Sequence, residues 1–399
     1  MKSWPVYKRN TWVFYITQLL HSLIFIIPIW IVYYQGKITG AEISYLVTIQ
    51  YLAQMFLELP SGALADLIGR KNTNLMGWLI GSLSYFLFPL ATTFTHFVIL
   101  ALMVGLNDSF RSGSEEALLY DTYKQAERED DYNHAYATGG VIYQVGLIIG
   151  TALGGFLFEQ WVFLPYLLYA VSLALGVVCI WFYVEPKIDS EVFSLKNYYF
   201  QITNGSKEAF KSTYATYLSL YYICVAGITW AGALYFNGAM MVELVASDTL
   251  RGMIDAGMRL ANVIVIRMVL QDERLFGAKS RILFFPIVMM IAYLPGIWLV
   301  GFWGTPFIQF AMMASTARWF LLSPLTNRVF SSKYRATAIS FLSLVIGFVY
   351  VALTATSGPI ITLFGIQTMY TILGVITLIT VVPLTYVLLK VEVASSSAD

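Results

Sequence analysis

Long, uninterrupted apolar runs recur along the whole chain, and they constrain its fold more than any other feature. The run FVILALMVGL, residues 97–106, has no polar residue at any position. The bilayer core is about 30 Å thick and a helix rises about 1.5 Å per residue, so a run of about 20 apolar residues spans it once. Twelve runs of about this length lie near residues 12–34, 43–61, 74–93, 96–120, 135–158, 162–184, 214–236, 250–270, 282–301, 304–325, 337–357 and 366–389.

The composition agrees with a membrane protein. Hydrophobic residues make up 58% of the chain and charged residues 12%, whereas charged residues are about 25% of an ordinary soluble domain. The rival architecture, a twelve-strand barrel, needs short segments in which polar and apolar residues alternate. Because the runs do not alternate, the sequence predicts an all-α membrane protein with twelve transmembrane helices.

Basic residues are distributed unequally between the two sides of such a protein. If both termini are cytoplasmic, the inside segments contain eighteen lysines and arginines and the outside segments contain two, Lys37 and Arg251. Lys and Arg in short loops are retained on the cytoplasmic side, so we expect a multi-pass protein of the cytoplasmic (inner) membrane with both termini inside. The net charge of +1 and the lack of a phosphate-binding glycine loop indicate no nucleic acid partner and no nucleotide cofactor.

The longest polar connection, residues 186–212, has six apolar runs on each side. The sequence therefore predicts an N-terminal six-helix bundle over 1–184, a cytoplasmic linker over 185–213 and a C-terminal six-helix bundle over 214–399. Two such halves with a binding site near the middle of the bilayer are typical of secondary transporters. The linker mixes Phe, Tyr and Lys, which predicts an amphipathic helix on the inner leaflet.

The segment GALADLIGRK, residues 62–71, places charges between the second and third runs. Followed by NTNL, it resembles the loop signature G-x-L-a-D-r-x-G-r-k-x-x-l of the major facilitator superfamily. Leu67 stands where the family usually has a basic residue. The matching residues are Gly62, Leu64, Asp66, Gly69, Arg70, Lys71 and Leu75.

The resemblance implies a gate at the cytoplasmic face and the fold of two six-helix bundles. The glycines of the signature permit a tight turn between closely packed helices. In the family, the aspartate, here Asp66, faces the positive N-terminus of the eleventh helix. An arginine of the loop, here Arg70, pairs with an acid at the foot of the fourth helix, a position that Asp121 occupies. A plain positive-inside loop would explain the basic residues but not the aspartate.

The fifth run resembles the glycine signature G-x-x-x-G-P-x-x-G-G of the antiporter branch of the superfamily, which exchanges drugs for protons. Thr151 replaces the proline, and Ala101 stands where a helix-4 arginine is usual. The glycines alone would also suit a close-packing helix face. They are Gly146, Gly150, Gly154 and Gly155. The segments SGSEEALLYD, ELPSGALAD and YRATAIS look like those of a subgroup of bacterial permeases in the superfamily.

Ionisable residues cluster on the fourth run. On a helical wheel Asp108, Arg111 and Glu115 fall within about 60° of one another, while Glu116 is turned by about 100° from Glu115. Arg111 can pair with either neighbouring acid. Charged residues inside a bilayer cost at least about 2.5 kcal/mol each, so this stripe is either a structural ion pair or a site for a proton or a cation.

Other spans carry isolated candidates for a solute or proton site. His21 follows Gln18 by one turn on the first run, and a histidine there could titrate near neutral pH or serve only in packing. Asp255 and Arg259, four residues apart on the eighth run, form either an internal salt bridge or a substrate contact. Arg318 on the tenth run has no acid four residues away and is a candidate for binding an anion.

We expect a non-enzymatic secondary transporter that moves a small organic solute by alternating access, with proton-coupled efflux favoured. Uptake by symport or uniport is the alternative within transport. A non-transporting receptor or a membrane-embedded enzyme is the alternative from another class, but no nucleophile or metal constellation is evident among three histidines. No metal or other cofactor is predicted, and a monomer in the lipid bilayer is expected.

Overall fold

The structure, a computed structural model, describes residues 4–186, 195–270, 277–331 and 334–396. In these ranges the chain forms helices and no strand. The helices of the first half are α1 (Val6–Ser22), α2 (Trp30–Gln35), α3 (Gly40–Ile68), α4 (Arg70–Leu87), α5 (Phe94–Gln125), α6 (Glu129–Gln160) and α7 (Leu164–Ile180). Those that follow are α8 (Leu195–Ala209), α9 (Thr213–Ala231), α10 (Asn237–Leu244), α11 (Asp248–Val265), α12 (Ala278–Tyr293), α13 (Thr305–Leu321), α14 (Ser323–Val329) and α15 (Arg335–Ser396).

Each of the twelve apolar runs coincides with helix. The first run is divided between α1 and α2, and the seventh continues from α9 through a π-helical turn at Gly232–Phe236 into α10. The last two runs share α15, which breaks at Gly365, where φ is +81°. Within the described residues, four helical stretches are long and apolar enough by themselves to cross a bilayer: Glu129–Gln160, Thr213–Leu244, Lys279–Trp298 and Thr337–Val391. The prediction of an all-helical twelve-helix membrane protein is confirmed.

The chain divides into two compact units. The first comprises Met1–Ile38, Leu46–Ser194 and Ser247–Ala256, and the second comprises Thr39–Tyr45, Leu195–Ala246 and Gly257–Asp399. The start of α3 therefore belongs to the second unit and the start of α11 to the first. The division at residues 184 and 214 that the sequence suggests stays a prediction.

The linker helix α8 packs on the second unit. Glu208 near its end accepts hydrogen bonds from the Ser331 backbone N–H (2.6 Å) and from the Lys211 ammonium (2.7 Å). Burial alone would raise the pKa of Glu208, but these two donors hold it below its usual range. At Gly205 the helix lies directly against the Thr337 carbonyl, leaving no room for a side chain. The helix is thus fastened to the start of α15.

The glycines of α6 face the point where the first span breaks. Between α1 and α2, residues 23–29 leave the helical path. A Cβ at Gly150 would lie 2.8 Å from the Ile24 backbone nitrogen, and one at Gly154 would overlap the Phe25 carbonyl oxygen. Irregular backbone at membrane depth is tolerated where protein buries it, and small residues let two backbones approach. The glycine stripe therefore accommodates the broken first span.

We predict that Gly154→Ala lowers the free energy of unfolding by about 1–3 kcal/mol, because an added methyl forces the backbones apart. Gly140→Ala, in the same helix, is the matched control, since a Cβ there meets nothing within 4 Å. The control should leave stability unchanged or raise it by up to about 1 kcal/mol, the difference in helix propensity. Thermal unfolding of the purified variants in detergent measures both. Equal losses in the two variants would contradict this role of the stripe.

Candidate functional site

Arg111 on α5 is buried and has two polar partners in the first unit. Its Nη2 donates to Glu115 Oε2 at 3.0 Å, and its Nη1 lies 2.5 Å from His21 Nε2 on α1. The exposed fractions of Arg111 and Glu115 are 7% and 6%. The Thr17 hydroxyl also donates to Glu115, at 3.0 Å. Of the two acids that could pair with Arg111, the structure selects Glu115.

The contact with Arg111 determines the proton arrangement of His21. A guanidinium has donors and no acceptor, so His21 Nε2 must accept the hydrogen bond. The imidazole is therefore neutral, with its proton on Nδ1. Its ring contacts Trp78 and Tyr143, with centroids 6.0 and 5.7 Å away. His21 thus serves here as a neutral partner of Arg111.

Helix α4 also packs against the charged face of α5. The Arg111 guanidinium lies 5.0 Å from the centre of the fully buried Trp78 ring. Gly77 and Gly81 of α4 let α5 approach closely: a Cβ at Gly77 would lie 3.2 Å from Arg111 Cγ, and one at Gly81 would lie 2.6 Å from Asn107 Oδ1. A cation over an aromatic face is favourable. Arg111 is therefore enclosed by an acid, an imidazole and an indole.

Asp108 lies one turn from Arg111 and takes a different partner. Its Oδ1 accepts a hydrogen bond from Asn107 Nδ2 at 2.9 Å, and its carboxylate borders a cavity of about 260 Å³ in the first unit. The residues lining the cavity are Phe14, Gln18, Gln54, Asp108, Arg111, Ser112, Glu115, Glu116 and Tyr136. Asp108 and the Arg111–Glu115 pair thus line the same cavity.

Glu116 lines the same cavity but is exposed. Its two carboxylate oxygens accept weak hydrogen bonds from the Tyr132 hydroxyl (3.3 Å) and the Tyr136 hydroxyl (3.4 Å) of α6. The Tyr136 ring stacks on Phe14, with centroids 6.3 Å apart and planes 17° from parallel. The cavity therefore has an aromatic wall next to this second carboxylate.

The loop between α3 and α4 turns at Gly69, whose φ of +90° is a conformation that favours glycine. Arg70 forms an ion pair with Asp121 on α5, so the structure brings these two residues together. Glu185, just after α7, accepts hydrogen bonds from the backbone N–H groups of Arg70 (2.8 Å) and Lys71 (2.7 Å). The Lys71 ammonium in turn donates to carbonyls of the segment after α7.

The carboxylate that caps a helix at this loop is that of Glu185, which accepts hydrogen bonds from the first backbone N–H groups of α4. The first N–H groups of a helix lack intrahelical partners, so an acid there is stabilising. Gly62 and Asp66 of the loop signature lie on α3, and the side chain of Asp66 is outside the described part of the structure. Its interaction with the eleventh span stays a prediction.

The remaining candidates lie on the second-half helices. Arg318 on α13 is 4% exposed, donates to the Ala226 carbonyl (3.2 Å), and has its guanidinium 5.1 Å from the Trp230 ring centre and 4.8 Å from that of Trp319. Asp255 and Arg259 both lie on α11, and each interacts with other residues. None of the three borders the cavity beside Asp108.

Sequence reasoning missed several residues that shape the site. Gln54 and Phe14 come from α3 and α1, and Tyr136 reaches the cavity from α6. A glutamine within an otherwise apolar run is a signal that could have suggested Gln54. Phe14 and Tyr136 carry no such signal, because aromatic residues are common in membrane helices. Glu185 could have been noticed as an acid at the end of a span, but its partner is 115 residues away.

A family model decides which proteins this chain is related to. The model described as the Major Facilitator Superfamily matches residues 11–334. The chain belongs to the Major Facilitator Superfamily. It is therefore a multi-pass membrane protein of a transporter family.

Two curated relatives match the chain over part of its length. The uncharacterized MFS-type transporter YxaM of Bacillus subtilis is 27% identical over 41% of this chain and 40% of that protein. The quinolone resistance protein NorA of Staphylococcus aureus is 26% identical over 34% of this chain and 34% of that protein. The matches thus cover well under two thirds of these relatives. Among solved structures, the nucleoside transporter NupG has a TM-score of 0.73 at 12% identity, covering 97% of this chain and 99% of its own. At that identity the likeness concerns the fold alone.

We predict that Glu115→Gln lowers the free energy of unfolding by about 3–5 kcal/mol, because it leaves the Arg111 charge buried without its acid. The control is Asp131→Asn, which breaks the exposed Arg128–Asp131 pair (2.6 Å, side chains 46% and 51% exposed). An exposed pair contributes less than about 1 kcal/mol. Thermal unfolding of both variants in the same detergent measures the difference. If Glu115→Gln is no more destabilised than Asp131→Asn, Arg111 does not depend on Glu115.

Proposed function

We propose that this transporter exports a small organic solute in exchange for protons and that Asp108 is the carboxylate that carries the proton. The observation behind the proposal is the pairing of Arg111. Because Arg111 donates to Glu115 and His21, the partner of Asp108 at the cavity is the neutral amide of Asn107. A carboxylate with a neutral partner can gain and lose a proton without breaking a salt bridge.

The position of Asp108 along α5 suits this role. Twelve residues separate it from Tyr120, near the cytoplasmic end of the span, which corresponds to about 18 Å at about 1.5 Å per residue. Asp108 is therefore expected near the middle of the bilayer, where transporters of this kind bind their solutes. One carboxylate cannot hold a proton and form an ion pair with a cationic solute at once, so exchange follows from competition.

The glycine stripe of α6 gives weaker support to exchange. It resembles the signature of the antiporter branch, and one curated relative is a quinolone resistance protein. Thr151 and Ala101 depart from the usual pattern of that branch. Proton-coupled uptake is the alternative that the same carboxylate would serve, and the direction of proton movement distinguishes the two.

Alternating access would be gated at the loop between α3 and α4. We propose that the N-terminal bundle, 1–184, rocks against the C-terminal bundle, 214–399, and that the signature residues Asp66, Gly69, Arg70 and Lys71, with Asp121, form the cytoplasmic latch. The Arg70–Asp121 ion pair and the Glu185 cap on α4 support a rigid loop within the first unit. A rigid loop can transmit the movement of one helix to the next.

We predict that protons leave the lumen of proteoliposomes when a transported solute enters, which a trapped pH dye reports as alkalinisation. The probes are norfloxacin, uridine and choline, added outside to wild-type and protein-free liposomes. Asp108→Asn should move no protons, because an amide cannot carry the proton, but at solute concentrations that offset its weaker binding it should still exchange labelled for unlabelled solute. Asp130→Asn, which removes an exposed acid outside the cavity, is the control for charge.

Three outcomes would contradict the proposal. If Asp108→Asn moves the same number of protons per solute as the wild type, Asp108 is not the carrier. If the lumen acidifies as the solute enters, the transporter is a symporter. If none of the three probes moves protons in the wild type, proton exchange of these solute classes is wrong.

A further inference from the structure

We propose that the cavity beside Asp108 binds a compact aromatic amine in its protonated form. The proposal rests on the proposed function only in taking this cavity as the solute site. It goes further in naming the chemical class of the solute, which neither the family nor its fold specifies. The argument starts from the charges that the cavity presents.

The cavity has an excess of negative charge. Among the described residues, three carboxylates line it, those of Asp108, Glu115 and Glu116, against the guanidinium of Arg111. The Arg111–Glu115 ion pair is neutral as a unit, and His21 is neutral because it accepts from Arg111. Asp108 and Glu116 remain, and both have neutral hydrogen-bond donors as partners. With both ionised, the cavity carries about two uncompensated negative charges, which a cation would offset.

The charge of Arg111 is already offset by Glu115. One of its terminal nitrogens donates to Glu115 and the other to His21, while its face lies against Trp78. An anion that bound the remaining N–H groups of Arg111 would add a further negative charge beside Glu115 and Asp108. Like charges brought close together repel. The geometry therefore disfavours the anionic solutes that a lone arginine in the span would suggest.

The wall and size of the cavity indicate what kind of cation fits. Phe14 and Tyr136 are stacked on one side, and aromatic faces attract an ammonium or pack against an aromatic ring. The amides of Gln18 and Gln54 can donate to or accept from a polar head group. A volume of about 260 Å³ is slightly below the range of drug-sized ligand pockets, about 300–1,000 Å³. A single-ring amine suits this space better than a large drug.

The two uncompensated carboxylates have different surroundings along α5. Eight residues separate Asp108 from Glu116, which is about 12 Å of helix at about 1.5 Å per residue. Glu116 is exposed and Asp108 is half-buried. An exposed acid attracts a cation and raises its local concentration, whereas a carboxylate in a less polar environment binds it more strongly. Asp108 is thus the main binding group, and Glu116 assists entry.

The test is direct binding of three probes with the same ring and nearly the same length but different charge. They are 2-phenylethylamine (a cation at neutral pH), 2-phenylethanol (neutral) and phenylacetate (an anion). Isothermal titration to the wild-type protein in lipid nanodiscs gives the three dissociation constants without any transport step. We expect the amine to bind at least about tenfold more tightly than the other two, as a close charge pair contributes 1.4 kcal/mol or more.

Variants locate the binding site. Asp108→Asn should weaken amine binding at least about tenfold, and Glu116→Gln should weaken it by only about threefold, because an exposed charge is screened by water and salt. Both substitutions should weaken binding of the amine more than binding of 2-phenylethanol, which carries no charge. Asp130→Asn, an exposed acid outside the cavity, removes the same formal charge and should leave all three constants unchanged.

The inference is overturned if phenylacetate or 2-phenylethanol binds as tightly as the amine, if none of the three probes binds, or if Asp130→Asn weakens amine binding as much as Asp108→Asn does. Its failure is distinguishable from failure of the proposed function. Amine binding that needs Asp108 without any proton movement in liposomes would support the solute class and contradict proton exchange. If proton exchange needs Asp108 but the solute is a nucleoside or an anion, the result would support proton exchange and contradict the proposed solute class.

Discussion

The first unit depends on one buried interaction, the ion pair between Arg111 and Glu115. A guanidinium inside a bilayer protein must be neutralised where it lies, and here an acid on the next turn does so, while a neutral histidine and an indole face stabilise the cation further. Because these three partners occupy Arg111, the other acid of the same helix face is left with an amide. The chemistry proposed for the cavity follows from this division of partners.

The glycines of α4 and α6 make this division of partners between Arg111 and Asp108 possible, because they let neighbouring helices pack closely. Gly77 and Gly81 allow α5 to lie close to α4, so that Trp78 can cover Arg111. Gly150 and Gly154 pack against the non-helical backbone between α1 and α2. Helix α1 contributes His21 and Thr17, which contact the ion pair. Close packing thus places polar side chains from three helices around one arginine, and no loop contributes to this cluster. Such a cluster is more rigid than one built on loops.

Sequence reasoning predicts what depends on local pattern and fails where distant segments meet. The twelve spans follow from apolar run length, and the loop signature identifies the family and brings Arg70 together with Asp121. Which acid pairs with Arg111 cannot be predicted from the helical wheel, since Asp108 and Glu115 are both one turn away. His21 and Thr17, about 90 residues earlier in the chain, decide it. Glu185 is a similar case, because a cap on α4 from the end of α7 leaves no periodic pattern in the sequence.

The most direct test of this account is a pair of double-mutant cycles on the free energy of unfolding, one for Arg111→Met with Glu115→Gln and one for Arg111→Met with Asp108→Asn. Coupled neighbours show interaction energies of about 0.5–3 kcal/mol, and uncoupled residues show values near zero. The account predicts a coupling in the upper part of this range for Arg111 with Glu115 and a much smaller one for Arg111 with Asp108. A larger coupling with Asp108 than with Glu115 would contradict it.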